Sequence, residues 1–557
     1  MDGDGSPDFG FRALEFHSHR MWQWAQVERA LGLMQKLDLN ALVFHQNDMV
    51  EHLVFPEAWF PDAYLWKRNP VRLHSVHQNR HYINTVIRAC AARGIAFYLE
   101  VKEISFADGL LELKPELRRA DGTVDPADPF WWRFLEAKYR ELLAAVPGLA
   151  GVIVSPGTRE SKVSIATHSA DIDATEWYAR LLGAMHAPLA ELGRTLAVRD
   201  FSYTADQQSR MIEAAGRVSS DIVVSLKNTP HDYYPTFPTN PRIGHCGPHR
   251  QWVEFDTWGQ FFGLGTFPVS VVEDMQRRMR ECRAKGVEGI SLRTDWEVIT
   301  DCGALNGPNL LNVFAGSMLA RRVERDLREV YDAWAAHGLL SPLRTASQNQ
   351  DPAIATASDA PRRLEAFMKA SWSVMEKAAY VRGHLFHEDD QYPESLDKAF
   401  AMLVEIHGRD EWEPGASRLL EPTPGNIAAI LAEKRAAMEE VGQLPAILSA
   451  GALGLPAEMV AELGTMLELY ALWVEGFEHC ARTVFLARRA EVTRDPGDAA
   501  AAAATLPPLR AFCARVAQRM QDTAFPHYVY WLMDERRLLS LADDVARRLA
   551  AIGSARA

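Results

Sequence analysis

Residues 131–160 read WWRFLEAKYRELLAAVPGLAGVIVSPGTRE, and the stretch changes period and polarity twice along its length. From Trp131 to Val146 apolar residues return at a spacing near 3.6, which predicts an amphipathic helix. Gly151–Val154 is then short, apolar and β-branched, the pattern of a strand buried on both faces. Polar residues follow directly, with Arg159 and Glu160 on the loop.

The same unit extends outward in both directions, from Phe11 to about Leu311. Strands are expected over Ala13–His17, Ala41–His45, Ala96–Val101, Gly151–Val154, Leu196–Phe201, Ile222–Leu226, Trp252–Phe255 and Gly289–Leu292. Helical stretches lie between them, among them Gln26–Leu37, Ile83–Arg93, Trp131–Val146 and Val271–Lys285. Eight strands alternating with helices over about 300 residues predict a parallel, closed (β/α)8 TIM barrel. From about Met318 helix formers dominate and turns carry Pro and Gly, as at Pro422–Gly425 and Pro496–Gly497. The expected architecture is therefore α/β: a barrel over 11–325, then an all-α C-terminal domain over 326–557.

Polar side chains gather just after the expected strands: His17 and His19, His45 to Asp48, Glu100 to Glu103, Arg199 and Asp200, Lys227 to Asp232, Glu254 and Asp256, and Arg293 to Glu297. In a barrel these ends share one face, where active sites are built, so the pattern points to an enzyme.

Composition narrows the class. A formal net charge of -13 argues against a protein that tracks nucleic-acid phosphates. The six cysteines are scattered with no CxxC pair, which disfavours a zinc cage or a disulfide framework. No apolar run reaches the length of a membrane span, and Met1–Gly10 is polar, so a reduced, cytoplasmic protein is expected. Ten of the fifteen tryptophans precede residue 300. Trp faces stack on sugar rings and also fill cores, and Trp258 and Trp296 are the candidates nearest the strand ends.

Glu160 could protonate a glycosidic oxygen as a general acid, or sit on the surface paired with Arg159. Asp232 could take a proton from water, or cap an Asx turn. Glu254 and Asp256 are two apart and share a side; Asp256 is expected in the site and Glu254 to be partly structural, unless the pair is tied to Arg293. Arg199 and Lys227 end adjacent strands and would grip an anionic substrate group, unless they only form structural salt bridges with Asp200 or Asp232. His17, His19 and His45 could hold a metal, but neutral histidines hydrogen-bonding sugar hydroxyls is the reading adopted, with no metal and no cofactor expected.

Several of these segments resemble glycoside hydrolase family 67, the inverting α-glucuronidases. They are Thr123 to Trp132, Val146 to Val154, Val198 to Tyr203, Ser225-Leu-Lys227-Asn228-Thr-Pro-His-Asp232 with Glu254 following, and Asn309 to Gly316. The resemblance spans roughly residues 12–330. It implies exo-acting removal of an α-linked glucuronic acid from an oligosaccharide, with Glu160 as acid, Asp232 as one water-activating carboxylate, and Arg199 and Lys227 on the uronate. Gln260 stands where the family has a second catalytic carboxylate, and Ser155 where it has a third cation. The family's N-terminal β-rich domain is expected to be missing, since the first strand begins at Ala13. These departures mark a distant relative, with His17, His45, Glu100, Glu254, Asp256, Trp258, Gln260, Arg293, Trp296 and Asn228 expected around the substrate. A neutral or amino-sugar glycosidase on the same barrel, or a non-catalytic carbohydrate-binding protein, are the alternatives. A homodimer through the C-terminal helices is also implied by the resemblance.

Overall fold

A computed structural model describes residues 6–68, 70–102, 104–106, 109–156, 164–165, 172–200, 205–299, 302–338, 359–387, 389–406 and 408–554. Eight parallel strands close into a barrel: β1 (Phe11–Phe16), β2 (Ala41–His45), β3 (Ala96–Lys102), β4 (Gly151–Ser155), β5 (Thr195–Arg199), β6 (Val223–Lys227), β7 (Gln251–Asp256) and β8 (Gly289–Arg293). Each strand pairs with its sequence neighbours, and β8 closes on β1 with Glu15 opposite Arg293. Every described strand end lies within two residues of the sequence expectation.

The strands alternate between two environments. Leu14, Leu42, Leu99, Val152, Val198, Leu226, Val253 and Leu292 face outward into the core shared with the surrounding helices. The intervening positions face the barrel axis, where Ala13, Val43, Tyr98, Ile153, Ala197, Val223 and Trp252 form a separate small cluster. Its centre is a face-to-face stack of Phe11 on Trp252, with centroids 3.7 Å apart, and Tyr98 meets both rings edge-on. Gly289 makes room for that stack, since a Cβ there would lie 2.6 Å from Trp252 and 2.7 Å from Phe11. The bottom of the barrel is thus plugged by apolar packing. Further along the strands the inward residues turn charged or polar: Glu15, His45, Glu100, Ser155, Arg199, Lys227, Glu254 and Arg293.

The outer layer includes α1 (Trp24–Lys36), α2 (Pro70–Ala91), α3 (Phe130–Ala145), α4 (Ala174–Glu191), α5 (Ala205–Val218), α6 (Val272–Ala284) and α7 (Leu310–Arg321). No helix separates β6 from β7; residues 228–250 form a loop instead. The C-terminal region follows with α8 (Leu327–His337), α9 (Ala360–Ala379), α10 (Pro424–Leu448), α11 (Ala457–Thr493), α12 (Pro496–Ala503), α13 (Leu506–Asp522) and α14 (Glu535–Ser554). It is helical as expected, apart from a small hairpin in which Tyr380–Val381 pairs with His384–Leu385. The hairpin turns on Arg382 (φ 50°) and Gly383 (φ 79°), a left-handed pair that suits a tight two-residue hairpin and escapes any helix periodicity.

This region packs across the mouth of the barrel. The Asp390 carboxylate accepts the backbone N–H groups of Gly263 (2.8 Å) and Leu264 (3.0 Å). Tyr380 donates its hydroxyl to the Phe261 carbonyl at 2.7 Å, and Phe267 stacks on Tyr470 with centroids 4.6 Å apart. Among the described residues no helix is long and apolar enough to cross a membrane.

Candidate active site

A cavity of about 530 Å³ opens at the C-terminal ends of the strands. Its lining brings four cations, Lys102, Arg199, Lys227 and Arg293, together with three carboxylates, Asp232, Glu297 and Asp389. The first five of these come from strands or the loops after them, and Glu297 follows β8; Asp389 arrives from the helical region.

Arg199 joins this cavity to a buried layer beneath it. Its Nε lies 2.7 Å from Glu254 Oε2 and 3.2 Å from Glu100 Oε1, and its terminal nitrogen donates to the Tyr233 hydroxyl at 2.6 Å. Tyr233 in turn donates to Glu254. Ser155 donates to Glu100 at 3.0 Å, and His45 Nδ1 lies 2.8 Å from Glu15 Oε1. Three buried carboxyls around one guanidinium cannot all stay charged, because burial penalises each anion and each raises its neighbours. The charge divides accordingly. Burial, with the repulsion of Glu254 and Glu100, pushes Glu15 well above the usual carboxylate range. Burial also lifts Glu100 to about 7. Burial works against Glu254 as well, but Arg199, Glu15 and Tyr233 overcome it and hold that carboxyl at about 2. Glu254 is therefore the anion that partners Arg199.

A second chain of polar contacts crosses the cavity rim. Gln260 donates its amide to Asp389 Oδ1 at 3.0 Å, and Arg293 donates to Gln260 Oε1 at 2.5 Å. Arg293 Nε lies 3.1 Å from His17 Nδ1, and His17 Nε2 lies 2.8 Å from Glu297 Oε2. Arginine only donates, so Nδ1 of His17 accepts and its proton sits on Nε2, facing Glu297. The same logic fixes the Gln260 amide, with its oxygen toward Arg293 and its nitrogen toward Asp389.

The loop after β6 presents Asp232 to the cavity with a positive φ of 42° and an ion pair to Lys227. Thr229 holds this turn by donating to the Asp232 carbonyl at 2.5 Å, and Arg278 of α6 donates to the Pro235 and Phe237 carbonyls. A non-glycine residue kept in the left-handed region by such supports is a frequent mark of a functional position.

The structure distributes the expected site residues over several places. His17, Arg199, Lys227, Asp232, Gln260, Arg293 and Trp296 line the cavity. His45, Glu100 and Glu254 lie in the buried layer below. Asp256 accepts the N–H groups of Trp258, Gly259 and Gln260 and so shapes the loop that carries Gln260. Trp258 is fully buried in the core, and Asn228 is buried in the loop after β6, outside the main cavity. Glu160 lies outside the described residues. Arg199 forms salt bridges with Glu254 and Glu100, and Lys227 pairs with Asp232 as expected. Sequence reasoning did not single out Glu15, Tyr233 or Asp389. Glu15 carried a signal, a charge at an inward-facing position of its strand; Asp389 carried none.

Glu15, His17 and His45 each place a ligand atom within 4.8 Å of the others, close enough to hold a metal ion. Arg293 already occupies His17 Nδ1, and burial together with His17, Lys102, Arg199 and Arg293 lowers the His45 pKa.

No protein-family model matches the chain. No curated protein sequence matches it either. Among solved structures, a GH138 enzyme described as targeting pectin rhamnogalacturonan II superposes with a TM-score of 0.65 at 10% identity, covering 99% of this chain and 85% of its own. An O-GlcNAc hydrolase from Thermobaculum terrenum gives a TM-score of 0.43 at 12% identity, over 98% of this chain and 94% of its own. At such identities the first likeness establishes a shared fold, a barrel with a helical C-terminal region.

Proposed function

We propose that this protein is an exo-acting glycoside hydrolase that releases a uronic acid from an acidic oligosaccharide with inversion, a distant relative of the family 67 α-glucuronidases. The observation that carries the reading is the convergence of Arg199, Lys227, Arg293 and Lys102 on one cavity that also holds carboxylates. Cations at the floor of a barrel mouth suit a substrate carboxylate, and Arg can grip it through two parallel hydrogen bonds. Similarity in fold to an enzyme described as targeting pectin rhamnogalacturonan II supports a carbohydrate substrate.

In the proposed reaction the uronate carboxylate docks on Arg199, Lys227 and Arg293. Asp232 removes a proton from water as its oxygen attacks the anomeric carbon. The bond from that carbon to the glycosidic oxygen breaks, and Glu160 gives its proton to the departing oxygen. Glu254 keeps Arg199 charged and fixed, so the clamp is preorganised before substrate arrives.

The test is to incubate the protein with α-linked uronic-acid-capped oligosaccharides and uncharged controls, following products by proton NMR from the first minutes. Release of a β-configured uronic acid is expected. Glu160→Gln and Asp232→Asn should each lower kcat by about 10³-fold while leaving the folded spectrum unchanged. Turnover of uncharged glycosides alone would replace the uronate clamp with a neutral or amino-sugar site. Binding without turnover, insensitive to both variants, would make the protein a carbohydrate-binding one.

A further inference from the structure

Among the described residues, Asp389 is the one carboxylate of the cavity lining that comes from outside the barrel. Its backbone is unusual, with φ 46° at Asp389 and 62° at Asp390, two consecutive non-glycine residues in the left-handed region. Such a conformation costs on the order of 1–3 kcal/mol per residue and persists only where the surroundings impose it. Three supports impose it here. Asp390 anchors the segment to the barrel through the N–H groups of Gly263 and Leu264. Trp531 donates its indole N–H to the Asp389 carbonyl at 3.0 Å. Gln260 donates its amide to the Asp389 carboxylate at 3.0 Å, and Arg293 on its other side fixes which way that amide points.

The backbone carbonyl and one carboxylate oxygen of Asp389 are thus both held, on a half-buried side chain that faces the cavity. Trp531 also meets the cavity-lining Trp296 edge-on, with centroids 5.9 Å apart, so the same support borders an aromatic wall. A carboxylate accepts hydrogen bonds and cannot donate them, so what it recognises is a donor; on a sugar the donors are hydroxyl groups. The same lining carries the cations, which would take the substrate's acid group and leave a ring hydroxyl for Asp389.

We propose that Asp389 is a specificity-determining residue that accepts a ring hydroxyl of the bound uronic acid, so that the helical region completes the sugar site of the barrel. This rests on the glycoside hydrolase reading above. Gln260 then acts as a positioning residue, passing the orientation of Arg293 on to Asp389.

The test compares the full-length wild type with Asp389→Asn on a uronide substrate and on analogues each lacking one ring hydroxyl. Hydrogen bonds to charged groups predict that Asp389→Asn lowers kcat/KM for the full uronide by about 10–100-fold, with an unchanged melting temperature. For one deoxy analogue the wild type should show a similar loss, and Asp389→Asn should add less than about threefold to it, because the partner hydroxyl is already gone. Trp531→Phe leaves the carboxylate in place but frees its backbone, and should give the same hydroxyl-selective loss in weaker form. That second variant keeps the comparison decisive if Asp389→Asn folds poorly. Equal losses on every analogue, or none on any, with an active wild type would overturn the role of Asp389 while leaving the hydrolase reading intact. A wild type that neither binds nor cleaves any uronide would overturn the hydrolase reading, and this proposal with it.

Discussion

His17 illustrates how a single hydrogen-bond direction sets a charge. Arg293 occupies Nδ1 as a donor, so the ring faces Glu297 through Nε2–H and is neutral. Burial, with Arg293 and Lys102, lowers its pKa to about 4 against the pull of Glu297. The folded protein then binds this proton more weakly than the unfolded chain, whose histidine titrates near 6.5. The His17 contribution is complete above pH 6.5 and is lost as pH falls toward 4. Glu100 has the opposite slope between about 4.5 and 7, since its folded pKa is raised, so the whole protein's profile would mix the two. A variant isolates the effect. The stability gap between wild type and His17→Gln, from urea unfolding, should shrink by about 2 kcal/mol between pH 7 and pH 4.5. A gap independent of pH would mean that His17 binds its proton equally well in the folded and unfolded chain, and a gap that widens toward low pH that it is charged in the fold. At this scale much of the cavity was legible, because Arg199, Lys227, Arg293 and Gln260 sit at or just after strand ends, where position in the chain predicts position in space. Asp389 was not, because it reaches Gln260 across 129 residues of sequence and no local pattern encodes that meeting.

The strands repeat one device: apolar residues outward, an apolar residue inward, and a polar one two positions later. In β5 these are Leu196 and Val198 outward, Ala197 inward, and then Arg199. That alternation makes the strands readable, since both the buried faces and the polar ends leave a mark in the sequence. The hairpin after α9 leaves no such mark, because its strands are two residues long and its stability lies in what covers it. Lys434 of α10 supplies part of that cover. Its buried ammonium donates to the carbonyls of Lys377, Ala378 and Tyr380, the unsatisfied C-terminal groups of α9. Burial lowers its pKa, so the ammonium is kept in place by these oxygens and by Glu433. Lys434→Met would match the stem in shape and leave the carbonyls without a donor. A loss of roughly 3 kcal/mol in unfolding free energy is expected from denaturant titration. A change under about 0.5 kcal/mol would show that the carbonyls find other donors.

On the scale of the whole molecule, the barrel and the helical region share one apolar seam as well as one cavity. Phe267, on the loop after β7, lies flat on Tyr470 of α11, with Trp473 at 5.3 Å, and all three are buried. Gly263 and Leu264 on the same loop are tied to Asp390, next to the residue proposed to read the substrate. A barrel deprived of this cover would expose that seam, so the two parts should unfold together rather than in turn. Phe267→Ala tests this directly. Truncating a buried aromatic costs about 3–5 kcal/mol, and here the cavity it leaves lies between the two parts. Because the interface belongs to both, the loss should appear equally in far-ultraviolet dichroism, dominated by the helices, and in tryptophan fluorescence, weighted toward the barrel, with the two transitions still coincident. If instead the helical signal melted first and the fluorescence later, the parts would be independent units. The placement of Asp389 at the mouth would then depend on docking rather than on folding, and the variant's kcat/KM would fall at temperatures where the barrel is still intact.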